Sequence, residues 1–199
     1  IPSMSAIHQR PIVLDNEFVD AAYVASKSYQ SDDFPLQKEM IDSMTDLILM
    51  GNFNFTSEGK FVIWSEDGHH ASDAPETDAT MKESLDRMNG FADGKLPRLW
   101  MCINAGGLIE PEDSGIFTEE SAAAFAKDVT AFAKKYGFVG VDLDWEALSS
   151  HQWPEYETMI KALGPALHKE GLLLSSAQAM DSLVCGSVLT SGSFEPDGV

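Results

Sequence analysis

Basic residues are scarce in this chain: 13 lysines and arginines face 32 aspartates and glutamates, for a formal charge of -19 over 199 residues. So acidic a surface repels phosphate backbones and anionic lipid, which argues against nucleic acid and membranes as partners. A neutral ligand such as a sugar meets no such barrier, and acidity also serves solubility by itself. Cysteine is scarcer still. Cys102 and Cys185 lie far apart in apolar stretches, without metal-ligand spacing. They read as buried free thiols, with one disulfide left open for a secreted chain. No apolar run approaches the ~20 residues that a membrane span needs. The start, Ile1-Pro2-Ser3-Met4, has no basic region leading into an apolar run, so no signal peptide is visible there; a processed start reads the same way. Internal repeats and low-complexity segments are also lacking. A sequon, Asn54-Phe55-Thr56, falls in a predicted strand.

What remains is an ordinary globular composition, 44% hydrophobic and 23% charged. Apolar runs of strand length alternate with amphipathic stretches of helical spacing, the pattern of βα units around a parallel sheet. Strands are predicted at Phe18–Ala25, Leu47–Phe55, Leu99–Ile103, Phe138–Trp145 and Gly171–Ala179. Helices are predicted at Phe34–Met44, Thr77–Met88 and Pro154–His168, the last with a kink or early stop at Gly164-Pro165. The clearest helix opens at Thr118, a capping residue, with Glu119 and Glu120 in its first turn. Phe125, Val129, Phe132 and Tyr136 share one face, and Lys134, Lys135 and Gly137 suit its end. Residues 65–74 read as a polar loop and 182–199 as loop or frayed tail. The whole chain, 1–199, reads as one domain or part of a larger one.

The most informative stretch is Gly140-Val141-Asp142-Leu143-Asp144-Trp145-Glu146. Side chains alternate along a strand, so Asp142, Asp144 and Glu146 face one way and Val141, Leu143 and Trp145 the other. Successive acids on that face stand about 6.6 Å apart along the strand. Burying three carboxyls is expensive, and their mutual repulsion pushes one toward its protonated form. A protonated carboxyl beside a charged one is what acid catalysis at a glycosidic oxygen requires. Two other roles stay open: the solvent face of an edge strand, and a site for a divalent cation.

The run resembles the signature of family-18 glycoside hydrolases, the chitinases and endo-β-N-acetylglucosaminidases, whose pattern is Asp-Gly-x-Asp-x-Asp-x-Glu. Gly140, Asp142, Asp144 and Glu146 match it, while Val139 replaces the first aspartate. Asn104-Ala105-Gly106-Gly107 is similar to the family's Ser-x-Gly-Gly, with Asn104 in place of the serine. Tyr136-Gly137-Phe138, the Leu172-to-Ala177 strand and Asn52-Phe53-Asn54-Phe55 extend the likeness, which covers most of residues 18–180 in the expected order.

The resemblance implies a (β/α)8 TIM-barrel fold, here a partial barrel of about five parallel strands with surrounding helices. It implies cleavage of β-1,4 linkages in chitin or other N-acetylglucosamine-containing glycans with retention, the substrate's acetamido oxygen serving as nucleophile. Glu146 would protonate the leaving oxygen, Asp144 would hold the acetamido nitrogen, and Asp142 would share a proton or hydrogen bond with Asp144. Tyr23, Phe53, Gly106, Gly107, Gln178 and Met180 are the expected substrate contacts. No metal or cofactor is implied, and an extracellular location follows from the substrate class.

A full barrel has eight βα units over ~250 residues. The family's sixth-strand Met-x-Tyr-Asp region and the tryptophan after strand eight have no counterpart here. Another chain or the missing barrel half would then complete the sugar site. Three rivals stand beside the hydrolase: a lectin-like family member, against which the retained Glu146 speaks; an inactive barrel fragment; and an unrelated metal-binding α/β domain.

Overall fold

The computed structural model describes residues 19–25, 29, 38–63, 74–92, 96–104, 115–145 and 152–177. Within them the chain runs β1 (Ala21–Ala25), α1 (Lys38–Ser43), β2 (Asp46–Phe55), β3 (Phe61–Ile63), α2 (Ala74–Phe91), β4 (Arg98–Asn104), α3 (Glu119–Tyr136), β5 (Gly140–Asp144), α4 (Trp153–Lys169) and β6 (Leu173–Ala177). The five predicted strands are β1, β2, β4, β5 and β6. They lie side by side in chain order, every neighbouring pair parallel. The sixth, β3, has only three residues and pairs antiparallel with the end of β2.

The sheet is strongly curved. In a flat sheet β1 and β5 would stand three strand spacings apart, about 14 Å, farther than a tyrosine reaches. Yet the Tyr23 hydroxyl in β1 donates to Asp142 in β5 at 2.9 Å. The concave face therefore carries Tyr23, Trp100, Asp142 and Ser175, joined by register or by direct contact. The convex face carries Leu47, Leu49, Leu99, Met101, Ile103, Val141, Leu143 and Leu174, each no more than 1% exposed and packed with helix residues such as Phe125, Val129 and Leu163 in one core. All-apolar strands of this kind are what burial under covering helices selects.

Helix α3 starts and stops where its sequence says. Thr118 accepts a hydrogen bond from the Ser121 backbone N–H, the Ser121 hydroxyl oxygen accepts one from the Thr118 N–H, and Gly137 closes the helix at φ 75°, a left-handed position that favours glycine. In α4 the expected early stop at Gly164-Pro165 does not occur, and the helix runs to Lys169. Pro165 and Lys161, whose carbonyl would have accepted the missing hydrogen bond, are both exposed, so water can serve that carbonyl. Leu163 and Leu167 on either side stay in the core. At the sequon, Asn54 is buried in β2 and its side-chain oxygen accepts from the Phe55 N–H at 2.7 Å, which leaves no room for a glycan.

Gly140 has a packing reason. A Cβ there would meet the Trp100 ring at 2.5 Å and the Leu173 carbonyl at 2.7 Å. The indole lies across β5 on the concave face, and only glycine admits it.

Candidate active site

The carboxylates of β5 enter the concave face as alternation requires. Asp142 is buried at 3% exposure, and Asp144, at the strand's C-terminal end, is half-buried. Trp145 points the other way, among Phe55, Phe117 and Tyr156 with ring centroids 5.0, 6.5 and 5.7 Å away. That aromatic cluster pins the strand end from which Glu146 follows. Glu146 itself lies outside the described residues, as do Gly106, Gly107, Gln178 and Met180.

Each oxygen of Asp142 accepts a hydroxyl. Tyr23 donates to Oδ2 at 2.9 Å, and Ser175 of β6 to Oδ1 at 2.6 Å. The Cys102 thiol of β4, its register partner, bonds to the same carboxylate. Asp144 accepts from the Asn104 amide, Nδ2 to Oδ2 at 2.7 Å, again across a register pair. Asp142 thus spends its described hydrogen bonds on Tyr23, Ser175 and Cys102, where the sequence reading expected a proton or hydrogen bond shared with Asp144.

The electrostatics follow from this crowding. Desolvation first, then the charge and hydrogen bond of Asp142, push the Tyr23 phenol far above its ordinary range. Burial, then the charges of Asp142 and Asp144, do the same to the Cys102 thiol. Both groups stay protonated, so Cys102 is no nucleophile and both serve as neutral donors.

The structure brings Tyr23, Asp142 and Asp144 together. It does not bring Phe53 to them. Phe53 pairs with Ile103, is 1% exposed, and meets Phe132 and Phe138 edge to face at 5.8 Å, all under the helices. The expected substrate contact is corrected: Phe53 is a core residue of the convex side. Ser175, Cys102 and Asn104 were missed as site residues. The usable signal was alternation on the strands beside β5, where each is the small or polar residue at an inward position. Among the described residues no three His, Cys, Asp or Glu side chains gather as metal ligands.

At the opposite, N-terminal end of the same face lies a third carboxylate. Asp46 receives both nitrogens of an Arg98 fork, Nε to Oδ1 at 2.8 Å and Nη2 to Oδ2 at 2.6 Å. It also accepts from Trp100 Nε1 at 2.7 Å and the Thr45 hydroxyl at 2.6 Å.

A curved parallel sheet with paired acids at the carboxyl end of one inner strand is the layout of an enzymatic βα barrel. The family model for glycosyl hydrolases family 18 matches residues 21–183. The chain belongs to that family. Among solved structures, the family-18 chain is similar to a class V chitinase from Pseudomonas fluorescens Pf-5, with 19% identity, TM-score 0.56 and coverage of 78% of this chain and 43% of that one. A Group IV chitinase from Ostrinia furnacalis shows 16% identity and TM-score 0.56, covering 80% and 43%. An immunomodulatory active chitinase from Trichuris suis shows 12% identity and TM-score 0.56, covering 81% and 44%. These likenesses identify the fold as part of a (β/α)8 barrel. The family-18 chain spans less than half the length of these structures. No curated protein matches it. Among the described residues no helix is long and apolar enough to cross a membrane.

Proposed function

We propose that the protein to which this chain belongs is a glycoside hydrolase acting on chitin or other N-acetylglucosamine-containing glycans, with Glu146 as general acid and Asp144 and Asp142 as its supporting carboxylates. The observation that carries this reading is the pair of acids at the carboxyl end of β5. Both face the concave side, where Tyr23 and Ser175 donate hydroxyls to Asp142 and Asn104 donates an amide N–H to Asp144. Neutral donors of this kind orient a carboxylate without cancelling its charge. In a substrate-assisted retaining reaction that charge has a use. Asp144 orients the acetamido group and balances the positive oxazolinium as its oxygen attacks the anomeric carbon. Glu146, two residues after Asp144 in the sequence, gives its proton to the departing oxygen and afterwards takes one from water.

Tyr23 and Ser175 hold Asp142 still, and Asp142 adds negative potential behind Asp144. Tyr23 is half exposed on the concave face, so its ring is open to a sugar while its hydroxyl is engaged. Gly106 and Gly107, which follow β4 in the sequence, and Gln178 and Met180, which follow β6, are proposed to complete the pocket rim. The rest of the barrel supplies the remaining sugar contacts. A secreted location suits such a substrate.

The test is turnover of a fluorogenic chito-oligosaccharide by the chain and by its Glu146→Gln variant, which keeps the shape but has no proton to give. Turnover that falls at least ~1,000-fold in the variant supports general-acid catalysis by Glu146. Equal turnover in both proteins rejects it. Binding of the oligosaccharide without turnover in either points to the lectin-like alternative.

A further inference from the structure

We propose that Asn104 is a positioning residue of this site, fixing the Asp144 carboxylate in its ionised form against β4. Asn104 and Asp144 are the last residues of adjacent parallel strands and are partners in register. The amide Nδ2 lies 2.7 Å from Oδ2 of Asp144. An amide nitrogen only donates, so the oxygen it faces must be an acceptor. A donor of this kind favours the charged carboxylate over the protonated one. Because the contact joins two strand ends held by the sheet ladder, it also fixes which way the carboxylate turns.

Asn104 stands where the resembling motif has serine, and it reaches the upper carboxylate of the pair. The lower one, Asp142, is already supplied by Tyr23, Ser175 and Cys102. The division of donors therefore has a logic: hydroxyls and a thiol for Asp142, a non-titrating amide for Asp144. Among the described residues, Asp142 on its own strand, Cys102 from β4 and Tyr23 from β1 are titratable groups near Asp144, and the latter two stay neutral; Glu146, two residues on, lies outside the described residues. β6 presents Ala177 at this level. The catalytic meaning of Asn104 rests on the hydrolase reading above, but its effect on Asp144 does not.

The experiment follows the Asp144 carboxyl carbon by ¹³C NMR through a pH titration of the full chain, the signal assigned by its loss in Asp144→Asn. Asn104→Ala is expected to move the titration midpoint up by about one pH unit. Asn104→Asp, of the same shape, is expected to move it further and to split it into two steps, as two carboxyls at hydrogen-bond distance titrate together. Asn104→Ser, with a shorter donor, should fall between wild type and Asn104→Ala, and serves if the alanine variant does not fold. A midpoint unchanged in these variants, with or without a lower melting temperature, overturns the proposal and leaves Asn104 a structural residue. In an active protein the acid limb of turnover should move up with the midpoint. A moved midpoint in a chain with no Glu146-dependent turnover would retain the Asn104 inference and count against the hydrolase reading instead.

Discussion

Asp46, at the start of β2, and Asp142, in the middle of β5, share the concave face and are equally hidden, at 2% and 3% exposure. Their surroundings differ in kind. Asp46 is held by a bidentate arginine, an indole and a hydroxyl, so its charge is cancelled on the spot. Asp142 is held by two hydroxyls and a thiol, so its charge is solvated but not cancelled. The first arrangement ends in the protein. The second leaves a negative potential that a cationic transition state can use. In barrels of this kind the amino-terminal end of the sheet holds the fold and the carboxyl end does the chemistry; Asp46 lies at the first end, and Asp142 sits mid-strand below Asp144, in the supporting role proposed above.

The largest effect should come from breaking the closed cluster. Arg98→Ala leaves a buried charge without its counter-ion and is expected to cost about 3–5 kcal/mol in chemical denaturation. Asp46→Asn keeps the shape but loses the ion pair, and its cost should be similar in sign and somewhat smaller. The open cluster should behave in the opposite way. Asp142→Asn removes a buried charge that has no cationic partner among the described residues. Its stability should change by less than about 1 kcal/mol, or rise, while turnover is lost.

The closed cluster also has a signature in acid. Burial alone would raise the Asp46 carboxyl, but hydrogen bonds from Arg98, Thr45 and Trp100 outweigh it and hold it below the usual range. A depressed folded value means that this stabilisation is complete above the unfolded value near ~3.9 and fades as pH falls through the folded one. Acid titration of stability should therefore lose part of its slope below about pH 4 in Asp46→Asn. The smallest effect is a control away from both sites. Thr118→Ala removes the α3 cap and should cost about 1 kcal/mol, with turnover unchanged.

Much of this was legible in the sequence because it is local. Alternation alone put Asp142 and Asp144 on one face and Trp145 on the other. Capping chemistry alone fixed both ends of α3. What was not legible depends on register between distant segments. Arg98 lies 52 positions from Asp46, and Ser175 lies 33 from Asp142. Nothing in either local pattern announces the partner. Phe53 was misplaced because Leu47 to Met50 are all apolar; the polar residues of β2, Asp46, Asn52 and Asn54, all lie at the opposite parity to Phe53 and were the signal that could have placed it. β3 escaped because three antiparallel residues are too few to show a period. Pro165 suggested an early stop that its exposed position makes unnecessary.

The most direct measurement is turnover of a fluorogenic chito-oligosaccharide by Asp144→Asn at matched folded concentration, beside the unaltered chain. The account predicts a loss of ~100-fold or more in turnover, as expected for one electrostatic stabiliser of the transition state, with the melting temperature of the variant within a few degrees of the original. Turnover equal to that of the original would contradict it, because Asp144 would then be one more satisfied polar residue of the sheet.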